Sequence, residues 1–386
     1  MKLNAAYTCF CLFAFLSACS GLRDTAEPPA ELLPFDPEVK IKKIWSVDTG
    51  RGSGDFLLSL TPFIDGNTIY TSDTKGRLLA LDKDSGKIVW KRTLKRMVSA
   101  ALGGDRTALY VGTADGQLVS VDKESGEANW STHLSSEILA RPVTALGVIV
   151  VQTTDGAISG IASSSGVILW TRRRTVPPLS LRGTGKPVIF NELVLTGMDT
   201  GQLLALSLFE GQIIWETPLS AVRGRNEIER IADADIQPLV DEGLVFGASY
   251  QGGLAALSLE NGRVLWSTDL STYHGVSMDR FGALYLSDAS SHIWSIYKRN
   301  GTTLWKQNKL RGRRLVKPIA RGDYLVSADF EGYVHVLSTS DGRIVGRFRL
   351  SGEGYIESPM ERDGVFYVLD KTGQLSAFTL HRDMRS

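Results

Sequence analysis

Cysteine is nearly missing from this chain of 386 residues: there are three, Cys9, Cys11 and Cys19, and all stand before residue 20. A charge excess is missing too, with Lys+Arg 43 against Asp+Glu 42. That balance argues against a nucleic-acid partner, whose phosphates call for a basic surface that displaces counterions. Histidine is sparse, and His133, His274, His292, His335 and His381 lack the spacing of a metal-ligand set. No nucleophile elbow, phosphate loop or EF-hand series occurs, so the usual sequence marks of an enzyme are wanting and no cofactor is implied. What is present is 43% hydrophobic residues, enough for a large core and against disorder as the main state.

Long hydrophobic runs are also scarce. Residues 10–16 form an apolar stretch behind Lys2 that is too short to span a bilayer, and it reads as the centre of a signal peptide, residues 1–18. The peptide ends Leu16-Ser17-Ala18-Cys19, which resembles the lipobox of bacterial lipoproteins. That resemblance implies cleavage before Cys19 and lipid attached to its thiol. Ser20 follows where an inner-membrane lipoprotein often has Asp, which implies the periplasmic face of the outer membrane. Without residues 1–18 the chain loses Lys2, Cys9 and Cys11, leaving 42 basic and 42 acidic side chains and no possible internal disulfide. Residues 19–40, rich in Pro, Glu and Ala, read as a flexible tether reaching on the order of 60 Å when extended.

A repeat occupies the rest. Gly76, Gly116, Gly156, Gly201 and Gly252, with Ser291 in the same place, each precede a tryptophan by 14 residues: Trp90, Trp130, Trp170, Trp215, Trp266 and Trp305. Four residues before each tryptophan is a glycine (Gly86, Gly126, Gly166, Gly211, Gly262, Gly301). Gly332 and Gly342 mark a seventh copy with Gly346 at the tryptophan position, and Gly373 an eighth. Within a unit, short β-prone runs alternate with turns such as Asp65-Gly66-Asn67 and Asp84-Ser85-Gly86. Four such strands per unit describe a propeller blade. The expected fold is all-β: an eight-bladed propeller of four-stranded antiparallel blades over residues 41–380, with 381–386 as a tail. The last copy lacks its fourth strand, and residues 44–47, with the orphan Trp45, supply it and close the ring. The tryptophans are expected to pack between blades, the acids beside the glycines to serve turns rather than calcium, and the runs 172–174 and 311–314 to be solvated faces. Trp294 falls outside the motif.

Residues 80–90 resemble the tryptophan-docking motif of quinoprotein propellers, with Ser85 where Thr is usual. Trp-Asp never occurs, so a WD40 ring fits less well. The quinoprotein resemblance raises a second function class, a periplasmic quinoprotein-like enzyme or ligand-binding propeller using the central channel. Many of those dehydrogenases carry a vicinal cysteine pair, which this chain lacks after residue 19. The reading is therefore non-enzymatic.

Insertions in a repeat protein map to loops. The span from the tryptophan position to the proline opening the next blade is 12 residues for Trp130 to Pro142 but 17 for Trp170 to Pro187 and 23 for Trp215 to Pro238. These two consecutive loops contain Leu-Ser-Leu-Arg-Gly at 179–183 and Glu-Ile-Glu-Arg-Ile-Ala-Asp-Ala-Asp at 227–235. With the lipobox and the eight repeats they resemble the BamB family of propeller lipoproteins in the outer-membrane β-barrel assembly (BAM) machinery. The resemblance implies binding to the POTRA domains of BamA beside other BAM components. It implies partner contacts at Leu179, Leu181, Arg182, Asp233 and Asp235, the acids serving either the partner or the loops. Whether unfolded outer-membrane proteins are also held, by strand addition at a blade edge, stays open at the level of sequence.

Overall fold

The computed structural model describes residues 27–54, 56, 58–174, 185–219, 237–249 and 252–383. They form eight four-stranded antiparallel sheets. In seven sheets the strands run inner to outer in chain order, from Phe63–Asp65 through Ile88–Thr93 in the first blade to Ile319–Arg321 through Ile344–Arg349 in the seventh. The eighth joins Met360–Arg362, Val365–Leu369 and Gln374–Arg382 to an outer strand, Val39–Asp48, from the other end of the chain. The closure read from Trp45 is therefore present, through nine residue pairs from Val39↔Arg382 to Asp48↔Gln374.

The turns explain the acid–glycine spacing. Asp73 Oδ1 accepts the backbone N–H groups of Lys75 and Arg77 at 2.9 and 3.0 Å, and Asp288, Asp329 and Asp370 repeat the arrangement. Each carboxylate thus satisfies donors that the tight turn leaves without a ladder partner. Ser291, in the marker-glycine place, takes the left-handed conformation (φ 64) in its stead.

The core is a series of wedges, each shared by two neighbouring blades: Val150 and Ile158 of blade three meet Val194 and Leu204 of blade four, for example. A tryptophan crosses seven of the eight seams. The indole Nε1 of Trp90 donates to the Lys123 carbonyl at 2.8 Å, and Trp45, Trp130, Trp170, Trp215, Trp266 and Trp305 do the same to Lys83, Ser163, Leu208, Leu259, Lys298 and Thr339. Each ring lies on the glycine of the next blade's outermost turn. A Cβ on Gly211 would sit 2.4 Å from the Trp170 ring, so only glycine admits the indole. One residue before each tryptophan the pairing shifts by a β-bulge, as between Ala80 and Leu81, which leaves Ile88 and Val89 outward and turns Trp90 in.

The seventh seam lacks its indole for a structural reason. The turn on which it would dock does not exist in blade eight, because that blade's outer two strands come from opposite ends of the chain. Instead the Val39 carbonyl comes within 3.2 Å of where a Cβ on Gly346 would be, and Phe348 packs into the space.

Two expectations are sharpened. Residues 27–38, within the span read as a tether, lie against blades six and seven: Ala30 N–H donates to the Arg311 carbonyl, Arg311 pairs with Glu27, Arg347 covers the Phe35 ring, and Arg343 pairs with Glu38. The run 311–314 is not a uniformly solvated face, since Arg313 is buried, with its guanidinium on Asp329 and Glu331. Arg172, Arg173 and Arg174 do remain at the surface, on the Gly211 carbonyl, Asp155 and Glu216. Trp294 finds a local role, donating to Asp288 Oδ2 at 2.8 Å beneath the Lys306 ammonium.

Candidate interaction site at the channel mouth

The implied lipidation and partner residues, Cys19, Leu179, Leu181, Arg182, Asp233 and Asp235, lie outside the described residues. The ends of the two enlarged loops are described, however, and they converge. Lys186 follows the first and Gln237 the second, and both line one cavity of about 410 Å³ at the ring axis.

The cavity is built by a repeated device. Each blade is entered through a residue that precedes its innermost strand, and in six blades that residue is followed by proline: Thr61, Arg141, Lys186, Gln237, Lys317 and Ser358. Proline holds the preceding residue extended. The six side chains, with Ala101 from blade two and His274 from blade six, therefore line the channel where the innermost strands converge.

Its charges are unequal. Among the described residues, Arg141, Lys186 and Lys317 face one inner carboxylate, Glu357, while Glu361 is engaged by Arg321. Glu357 accepts from the Thr61 hydroxyl at 2.7 Å, Lys186 Nζ donates to Ser59 Oγ at 3.3 Å, and Arg141 donates to the Thr61 and Pro62 carbonyls at 3.1 Å. Among the described residues the Lys317 ammonium has no hydrogen-bond or ion partner. Enclosure, reinforced by Lys186 and Arg141 and only partly offset by Glu357, lowers the Lys317 pKa to about 8. Enclosure opposes ionisation of Glu357 as well, yet the Lys186 cation, the Ser59 and Thr61 hydroxyls and His274 outweigh it and hold its carboxyl below the usual range. His274 is lowered to about 4 by enclosure, with Lys186 and Lys317 adding to the effect against Glu357, and is neutral at pH 7.

Sequence reasoning used the prolines as blade openers and passed over the residues before them. Their spacing was the available signal; their identities differ from blade to blade, so a search for repeated residue types does not find them.

An eight-bladed ring locked by tryptophan docking, with its inner strands around an axial channel, is the architecture of quinoprotein-type propellers. The solved structure of quinohemoprotein alcohol dehydrogenase from Comamonas testosteroni shares it at a TM-score of 0.67 and 13% identity, over 88% of this chain and 76% of that one. The crystal structure of BamB from Moraxella catarrhalis matches at a TM-score of 0.80 and 24% identity, over 88% of this chain and 100% of that one. A family model described as outer membrane protein assembly factor BamB matches residues 41–107, 93–307 and 295–383. Among curated relatives, the outer membrane protein assembly factor BamB of Pseudomonas aeruginosa is 46% identical over 94% of this chain and 95% of its own length. That of Yersinia pestis is 33% identical over 95% of this chain and 96% of its own length. The chain belongs to the BamB family of outer membrane protein assembly factors.

Proposed function

We propose that this chain is a non-enzymatic scaffold of the BAM complex, anchored by lipid at Cys19 on the periplasmic face of the outer membrane, which docks on the POTRA domains of BamA. The observation that carries this reading is the family match, which spans nearly the whole chain including the two enlarged loops. The position of the loop ends supports it, because Lys186 and Gln237, which follow one loop and the other, line one cavity. Leu179 and Leu181, two residues apart, share a side of an extended segment and enter an apolar groove of the partner, while Arg182 supplies a directional ion pair. Asp233 and Asp235 act beside them, on the partner or on the loop itself.

The test is affinity purification of the tethered chain from envelopes. The unaltered chain should recover BamA, and Leu179→Ala with Leu181→Ala should lose it while the far-ultraviolet circular dichroism and melting temperature stay unchanged. Undiminished recovery of BamA by the double variant would remove these leucines from the interface. Cys19→Ala should move the chain from the membrane to the soluble periplasmic fraction.

A further inference from the structure

We infer that the axial cavity lined by Arg141, Lys186, Lys317 and Glu357 binds a small oxyanion carrying carboxylate or phosphate groups. Four blades contribute these groups: Arg141 from the third, Lys186 from the fourth, Lys317 from the seventh and Glu357 from the eighth. Among the described residues, three cations around one inner carboxylate leave an excess of positive charge within a space of about 410 Å³. That volume lies within the range of small-molecule pockets.

The partners already made define what is left over. Arg141 is held by two backbone carbonyls and Lys186 rests on a hydroxyl, and among the described residues neither makes an ion pair. Glu357 is fixed by Thr61 on one oxygen. The Lys317 ammonium has no such partner among the described residues, and the neutral His274 ring and the Tyr273 side chain line the same cavity. Like charges converging in a partly enclosed space repel one another, and an anion of charge two relieves that repulsion while receiving charge-assisted hydrogen bonds. Enclosure is the main cause of the depressed Lys317 pKa, and the neighbouring Lys186 and Arg141 charges add to it. A monovalent halide offers one acceptor to groups that come from opposite sides of the channel; a dicarboxylate or a phosphate spans them.

The test is calorimetric titration of the full mature chain, in detergent at pH 7 and low ionic strength, with sodium phosphate and with sodium malonate. Sodium chloride at matched ionic strength serves as the control. Saturable one-site binding of phosphate or malonate, not reproduced by chloride, is expected. Lys317→Gln should weaken it about tenfold or more, and Glu357→Gln, which removes the opposing charge, should tighten it. Binding should also decline above pH 8 as Lys317 loses its proton, whereas Arg141 stays charged. Melting curves that overlay the unaltered chain establish that the variants are folded. Absence of saturable heat with both anions overturns the proposal, as do equal heats from chloride or an affinity indifferent to Lys317→Gln. Because neither substitution touches residues 175–184 or 220–236, loss of anion binding with BamA recovery intact separates this site from the docking loops.

Discussion

Asp329 in blade seven is a buried acid that joins a turn to two buried titratable side chains, Arg313 and His335. It is fully buried, its Oδ2 receives Arg313 Nε at 2.7 Å and contacts His335 Nε2 at 2.9 Å, and its Oδ1 accepts two backbone N–H groups. Removing it takes the buried partner from a buried guanidinium and leaves the more exposed Glu331 as its ion partner, so Asp329→Ala should cost about 3 kcal/mol in denaturant unfolding. His335 is held neutral chiefly by burial, against the pull of Asp329. Its Nδ1 is buried without a partner, which fits a ring that donates from Nε2 and leaves Nδ1 bare. The histidine pKa is lower in the fold than in the unfolded chain, so the unfolded chain binds more protons as pH falls below about 6.5, and stability falls with it. Asp329 acts in the same direction: its folded pKa is depressed, so its stabilisation holds above the unfolded value and is lost as pH drops through the folded one. The melting temperature should therefore decline from pH 7 to pH 5, and His335→Gln should flatten part of that decline. An unchanged slope in the variant would assign the acid sensitivity elsewhere.

At the scale of strands and turns, most of the architecture was legible because one interaction is repeated. The tryptophan of one blade, and the glycine four residues before the tryptophan of the next, are the two ends of the docking contact between adjacent blades. Repetition made the contact visible without coordinates. Trp170→Ala should cost about 3–5 kcal/mol, because it empties a seam and leaves the Leu208 carbonyl without its donor. Gly211→Ala should destabilise through the other side of the same contact, since the backbone there has φ +63 and the added methyl meets the ring. Gly346→Trp should not stabilise, although it restores the motif, because the Val39 carbonyl occupies the approach and no docking turn exists. Chemical denaturation of the three variants distinguishes these outcomes. The channel was not legible in the same way. Whether a lysine faces bulk water or a ring axis depends on where eight blades meet, and Thr61, Arg141, Lys186, Gln237 and Lys317 share a position but not one residue type. Arg313 misled for a related reason: its run is basic in sequence, and only the fold brings Asp329 and Glu331 against it.

The whole molecule is held as a ring by two ends of one chain, and this sets its cooperativity. The outer strand Val39–Asp48 pairs with Gln374–Arg382, and Trp45 then docks on blade one through the Lys83 carbonyl at 3.0 Å. One strand therefore completes the eighth sheet and crosses the last seam. Residues 27–38 add contacts to blades six and seven, among them the Glu38 N–H donating to the Val345 carbonyl at 2.9 Å. These two parts of the N-terminal region should separate experimentally. A chain beginning at residue 39 keeps the closing strand, and should stay monomeric and unfold in one transition at a modestly lower midpoint. A chain beginning at residue 49 exposes the edge of Gln374–Arg382 and strips one side from the cluster of Ile69, Leu81, Tyr367 and Leu375. An unpaired edge of that length is a template for association. The shorter chain should therefore elute as larger species in size-exclusion chromatography and lose the single sharp transition in denaturant. If it remained monomeric with an unshifted midpoint, closure by the N-terminal strand would not be what makes the eight blades one cooperative unit.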